Sequence, residues 1–205
     1  MALPHDLRQI AVRVAKHEVG HNIIARALGF RTGDVSIKIL RPHGRYHGAS
    51  AITLPEAIEA IEDLRVYLER RIIVLYAGAL AETLPDSGSP TKKVNADKAH
   101  EILENPVQGA EQDFAKVREL LYVLRNVSRP GTDLSDEDAL QAEINELNHR
   151  LFNRAAELVE AYAETIIGLG DNLASQVKAV GEIVILKADY LGGLRGVRQI
   201  EPTTP

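Results

Sequence analysis

The feature that most constrains this chain is a pair of histidines four residues apart in a segment with helical periodicity. Between residues 7 and 28, apolar side chains and the two histidines recur at spacings of three and four, which predicts one helix. Residues four apart lie one above the other on a helix, so His17 and His21 share a face. Gly29 follows at a position typical of a helix end. Two imidazoles placed in this way can coordinate one metal ion.

The residue after the first histidine completes the pattern His-Glu-x-x-His. Glu18 lies beside the expected ion without being a ligand. A zinc ion at such a site lowers the pKa of a water and polarises a carbonyl, and the glutamate takes the proton. We therefore expect zinc as the cofactor, His17 and His21 as ligands and Glu18 as the general base. The alternative is that the two histidines bind no metal. Their polar nitrogens would then be buried on an apolar helix face without a partner, which costs free energy.

The residues alone leave the third ligand open. A catalytic zinc commonly has three protein ligands and one open position. The long metzincin pattern needs Gly and His where this chain has Ile24 and Ala27. His43 and His47 form a second pair four apart, in a turn where surface or substrate-side roles are more ordinary. A thermolysin-like site would use a glutamate from a later helix, and the candidates are Glu56, Glu59, Glu62 and Glu82.

Composition excludes several classes of protein. The 205 residues contain no cysteine, which excludes disulfides, thiolate zinc ligands and cysteine nucleophiles. The net charge is -5 and no basic stripe is present, which argues against nucleic-acid binding. The longest nearly uncharged apolar run, residues 72–81, is too short to span a bilayer, and the N-terminal residues show no signal-peptide pattern. We therefore expect a cytoplasmic protein without direct membrane insertion.

The rest of the sequence predicts a mainly α fold of the α+β class. Residues 35–40 alternate apolar and polar side chains and predict a half-buried strand, and residues 49–54 a return strand. Helices are predicted over residues 55–84, 95–103, 109–126 and 135–169, and a last one to about residue 190. We expect a zinc-binding core over residues 1–127. A C-terminal helical region over residues 128–205 is expected to pack on it as one structural unit.

Four stretches carry a family resemblance, and they span about residues 7–126. They are HEVGHNIIA (residues 17–25), VSIKILRPHGRYHGA (35–49), YAGALAE (76–82) and GAEQDFAKVRELL (109–121). In order and spacing they resemble the peptidase domain of the FtsH family of ATP-dependent zinc metalloproteases. The resemblance implies a helical, bundle-like zincin domain with a small sheet inserted after the HExxH helix.

The resemblance also implies roles for two acidic residues. Asp113 matches the aspartate of the family's Gly-Ala-x-x-Asp stretch, which is the third zinc ligand. The same residue would also suit a helix N-terminus without any metal. Glu82 matches the glutamate of the third stretch and is expected to steady a ligand histidine from behind.

The chain departs from the family in ways that bear on function. It contains no GxxxxGK[ST] ATPase motif, and it reads YVLRNVSRPG over residues 122–131 instead of the family's Tyr-Gly-Met-Ser-like turn. The resemblance therefore implies a metalloendopeptidase for unfolded or flexible polypeptides, with an ATPase as a partner in trans. The alternative is an inactive, zinc-stabilised helical module that partners an ATPase or a regulator. The amphipathic helices after Ser135 could pack within the chain or between subunits, so a homo-oligomer is possible.

A polypeptide substrate is commonly bound as an added strand at an exposed sheet edge. The predicted edge is the strand over residues 35–40, in which Val35, Ile37 and Ile39 share one face. Arg41, Arg45 and Tyr46, in the turn that follows, are candidates to line the cleft.

Overall fold

A computed structural model defines residues 3–40, 46–105 and 110–205 of the chain. Within these ranges the fold is mainly helical with one small antiparallel sheet, so the predicted α+β class is confirmed. In chain order the elements are α1 (His5–Ala27), β1 (Arg31–Ile39), β2 (Tyr46–Thr53), α2 (Ile61–Glu82), α3 (Ala96–Glu104), α4 (Glu111–Ser128), α5 (Glu137–Ala161), α6 (Ala163–Ser175), β3 (Ile183–Leu186), α7 (Ala188–Gly193) and α8 (Arg195–Arg198).

Helix α1 is the central element. Its residues 14–25 are buried on every face, because α2, α6 and β1 pack around it. Gly29 follows the helix with a φ of +82°, a left-handed conformation that suits glycine and turns the chain into β1. The predicted helix over residues 7–28 is confirmed, with a start two residues earlier at His5. The predicted metal-binding face therefore lies inside the fold.

Small residues let α2 approach α1 closely. A Cβ atom added to Gly20 would lie 2.5 Å from the Ala81 Cβ and 2.9 Å from the Ala77 carbonyl oxygen, so a larger residue would force the helices apart. Helix α2 is buried over residues 72–82, the half that crosses α1. The close approach sets that half directly against the two histidines.

Helix α2 begins at Ile61 and not at the predicted residue 55. The Asp63 carboxylate accepts hydrogen bonds from the backbone N–H groups of Glu59 and Ala60, at 3.1 and 2.9 Å, and so fixes the first turn. Residues 54–60 consequently form an irregular connection between the sheet and α2.

The three strands lie in the order β2-β1-β3, with both pairs antiparallel. The prediction that the strand of Val35, Ile37 and Ile39 is an exposed edge is wrong, because β3 pairs with residues 35–38 of β1 and β2 pairs along its other side. Those three side chains are buried in the core. In the described ranges β2 has one neighbouring strand, so its outer side is a sheet edge.

The predicted last helix to residue 190 is also wrong. Helix α6 ends at Ser175, and after Gly181, whose φ is +86°, the chain forms β3. Ile183, Val184 and Ile185 are β-branched and alternate between exposed and buried, which favours a strand. The helix predicted over residues 135–169 consists of two helices, α5 and α6, that meet near residue 162.

The C-terminal helices share the core of the N-terminal part. Helix α5 packs on α2, and α6 packs on α1. A Cβ atom added to Gly170 of α6 would lie 2.9 Å from the Lys16 Cγ, which shows how tightly that second contact is packed. Among the helices of residues 3–40, 46–105 and 110–205, none is long and apolar enough to cross a lipid bilayer.

Candidate metal centre

Three of the predicted site residues converge on one point. His17 and His21 project from successive turns of α1, and their Nε2 atoms lie 2.9 Å apart. Asp113, in the first turn of α4, sets its Oδ2 atom 3.3 Å from the His17 Nε2 and 3.1 Å from the His21 Nε2. In the described ranges this is the group of side chains that can hold a metal ion.

The other ring nitrogens show which atoms face the centre. The His17 Nδ1 lies 2.8 Å from the Glu82 Oε1, and the His21 Nδ1 lies 2.7 Å from the Val74 carbonyl oxygen. Both partners are acceptors, so each Nδ1 carries the proton and donates it. Each Nε2 of the neutral rings then presents a lone pair towards the other and towards the Asp113 carboxylate. Three acceptors facing one another are stable together when a cation, either a ring proton or a metal ion, lies between them.

The size of the triangle suits zinc. A circle through the three ligand atoms has a radius of about 1.8 Å, as their separations of 2.9, 3.1 and 3.3 Å require. Zinc bonds to histidine nitrogen are about 2.0–2.1 Å long, so the three atoms are close enough together for all of them to bind one zinc ion. Two imidazoles and a carboxylate are also donors that zinc prefers.

A glycine keeps the space in front of the nitrogens clear. A Cβ atom added to Gly78 of α2 would lie 2.5 Å from the His21 Nε2 and 2.6 Å from the His17 Nε2. Any side chain at this position would therefore compete with an ion for the same two nitrogens. The residues present fit a zinc ion at this centre.

Glu18 lies next to the centre and is buried, with 8% of its surface exposed. Its carboxylate packs against β2, since a Cβ atom added to Gly48 would lie 2.1 Å from the Glu18 Oε1. Gly48 pairs with Ile37 across the β1–β2 ladder, on the face that looks into the core. Burial raises the pKa of the Glu18 carboxyl above its usual value, although His17 and His21 act in the opposite direction.

The centre attracts positive charge. Burial by itself would lower the pKa of His17, but hydrogen bonds to the Asp113 and Glu82 carboxylates outweigh it and raise that pKa to about 10. Burial by itself would raise the pKa of Asp113, and the bonds from His17 and His21 instead hold it well below its usual range. Both shifts have one cause, which is the contact of buried carboxylates with the imidazole pair.

The alternative ligands considered above are placed elsewhere. Glu56, Glu59 and Glu62 are exposed around the start of α2, and Glu62 pairs with Arg65. Glu82 contacts the rear nitrogen of His17, which is the predicted supporting position and not a ligand position. His47 pairs with Lys38 on the sheet face opposite to Gly48, and His43 lies outside the described residues.

Sequence reasoning missed several residues of the centre. Gly78 interrupts the helical pattern of residues 76–82, and that signal alone could have identified it, because a glycine inside a helix usually has a packing reason. Arg13, which contacts Glu82, carried no comparable signal. Of the three residues predicted to line the cleft, Tyr46 is half-buried at the start of β2, and Arg41 and Arg45 lie outside the described residues. The pKa of Tyr46 is raised to about 12, mainly because the hydroxyl is buried and to a lesser extent because the negative charge of Glu82 is near.

Comparison with known proteins adds no assignment. No protein-family model matches the sequence, and no match to it is found among curated proteins.

Proposed function

We propose that this chain is a zinc-dependent endopeptidase that hydrolyses peptide bonds of unfolded or flexible polypeptides, similar to the peptidase domain of the FtsH family. The observation that carries the proposal is the convergence of His17, His21 and Asp113 beside the buried Glu18. A zinc site that is purely structural needs a fourth protein ligand and has no use for a buried carboxylate beside it.

The reaction divides between the ion and Glu18. Bound zinc supplies Lewis acidity, which makes water a better nucleophile and polarises the peptide carbonyl. Glu18 accepts a proton from the attacking water as its oxygen bonds to the carbonyl carbon. It then returns the proton to the amine nitrogen as the carbon–nitrogen bond breaks. Burial raises the pKa of Glu18, which makes the carboxylate a better proton acceptor.

The remaining groups orient the reacting ones. The Glu82 carboxylate and the Val74 carbonyl oxygen fix the two imidazoles with their Nε2 atoms forward. Gly48 lets the Glu18 carboxylate lie directly against β2. Since β2 has a neighbouring strand on one side only in the described ranges, we infer that an extended substrate pairs with β2 and not with β1.

The test is the variant Glu18→Gln. It keeps the shape of the side chain but cannot accept a proton, so we expect casein hydrolysis to fall by about 10²–10⁴-fold while one zinc ion per chain is retained. Glu157→Gln, the same substitution at an exposed position of α5, is the matched control and should change neither quantity. Asp113→Asn should instead weaken zinc binding. Hydrolysis by Glu18→Gln at the parental rate would refute the proposed mechanism.

Three expectations remain predictions from the sequence. They are an ATPase partner acting in trans, a homo-oligomer and a cytoplasmic location. An interaction module without proteolysis is the competing function. It requires wild-type protein that binds zinc stoichiometrically and leaves casein uncut at every protein concentration tested.

A further inference from the structure

The Glu82 carboxylate has a polar partner on each side, an imidazole on one and a guanidinium on the other. Its Oε1 accepts the hydrogen bond of the His17 Nδ1 at 2.8 Å, and its Oε2 lies 3.2 Å from the Arg13 Nε. Only 1% of the Glu82 side chain is exposed. A carboxylate buried to this degree is stable as an anion only where charged or hydrogen-bonding partners surround it.

Arg13 is placed to act on the metal centre without touching it. It lies four residues before His17 on α1, and therefore on the same face one turn earlier. Its Nε is buried and contacts Glu82 as an ion pair, without the orientation of a hydrogen bond. A chain of contacts thus runs from Arg13 through Glu82 to His17, whose Nε2 is the ligand atom. The guanidinium of Arg13 keeps the Glu82 carboxylate in place.

The other carboxylate of the centre offers a natural comparison. The Asp113 Oδ1 lies 3.6 Å from the Lys116 Nζ, so this carboxylate also has a cation behind it. The Lys116 side chain is 52% exposed, against 35% for Arg13, and its partner is 18% exposed, against 1% for Glu82. Ion pairs that water reaches contribute little, because solvent screens them.

We propose that Arg13 is a positioning residue of the metal centre, which holds the Glu82 carboxylate against His17 and so directs the His17 Nε2 at the ion. The proposal rests on the proposed function in one respect, which is that the site binds a metal ion. It does not depend on what the site hydrolyses. Lys116 has no comparable role.

The principal experiment measures the zinc dissociation constant of the full chain by competition with a chelator. Residues that support metal-binding histidines typically alter metal affinity by about 10–100-fold. We expect Arg13→Gln to weaken zinc binding about tenfold and Arg13→Lys, which keeps the charge, to stay within about threefold of the wild type. Lys116→Gln, the matched control, should stay within about twofold.

A double-mutant cycle tests whether Arg13 acts through Glu82. In a Glu82→Gln background the partner charge is gone, so Arg13→Gln should change the zinc dissociation constant by less than about twofold. A merely structural role would leave the full tenfold effect in that background. That outcome, or wild-type zinc affinity in the single variant Arg13→Gln, overturns the proposal.

A second readout needs no metal. In metal-free protein, the proton on the His17 Nδ1 is held by Glu82 and should exchange slowly with water, as seen by NMR. We expect exchange at least about fivefold faster in Arg13→Gln and unchanged in Lys116→Gln. Equal exchange in both variants overturns the proposal even if casein is hydrolysed normally. If the wild-type protein binds zinc but does not hydrolyse casein, while the Arg13 variants change zinc affinity and proton exchange as expected, only the proposed function is refuted.

Discussion

Replacing Gly78 with alanine sets one methyl group in front of the two nitrogens that would bind the ion. The added Cβ would lie 2.5 Å from the His21 Nε2 and 2.6 Å from the His17 Nε2, whereas ordinary contacts of such an atom begin near 3.4 Å. Each nitrogen would have to retreat by about 0.8–0.9 Å. Zinc sites tolerate ligand displacements of only about 0.2 Å, and both rings are held from behind by Glu82 and Val74.

The expected loss of affinity follows from that displacement. Zinc binding worth about 10–16 kcal/mol is shared among about four ligands, so one lost ligand costs about 3 kcal/mol. This corresponds to a zinc dissociation constant about 10²-fold larger, with a second factor of similar size if both nitrogens move. The methyl group also overpacks the α1–α2 contact, which we expect to destabilise the metal-free fold by about 1–3 kcal/mol.

The assay is zinc competition with a chelator, together with thermal unfolding of the metal-free protein. Gly168→Ala is the matched control, because Gly168 is in helix α6 and nothing lies within 4 Å of the Cβ that alanine adds there. It should bind zinc normally and be more stable by about 0.5–1 kcal/mol. The reasoning is refuted if Gly78→Ala folds and binds zinc within about threefold of the wild type.

Two further predictions concern neighbours of the centre. In Gly48→Ala the added Cβ would lie 2.1 Å from the Glu18 Oε1, so the general base must move while the ligands stay in place. Casein hydrolysis should therefore fall at least about 10²-fold, while zinc affinity changes less than about threefold. A parallel loss of hydrolysis and zinc affinity would contradict this prediction. Lys16, buried beside His17, donates hydrogen bonds to the Leu84 and Pro85 carbonyl oxygens, each at 3.1 Å. Lys16→Met should lower the free energy of unfolding by about 1–3 kcal/mol in urea titrations, and unchanged stability would show that water replaces the ammonium group.

The histidine pair could be predicted because helix geometry is local. Four residues of separation put His17 and His21 on one face whatever surrounds the helix. Asp113 is 92 residues away from His21 along the chain, and no local rule connects them. It was identified only through a family resemblance, and its position beside the imidazoles is consistent with that suggestion.

The sheet edge was predicted wrongly for a related reason. The alternation over residues 35–40 correctly indicates a strand with one buried face, but it says nothing about which strands lie on either side. The neighbour that covers β1 is β3, contributed by residues 183–186 of the C-terminal region. The ion pair of Arg13 with Glu82 was out of reach as well, since it depends on how α1 and α2 cross.

The most direct test of the central claim is anomalous X-ray scattering at the zinc absorption edge from crystals grown with one equivalent of zinc. The account predicts a single strong peak within about 2.0–2.2 Å of His17 Nε2, His21 Nε2 and an oxygen of Asp113, with no fourth protein ligand. A peak bound elsewhere on the chain would contradict it, and so would an Asp113 carboxylate turned away from the two imidazoles.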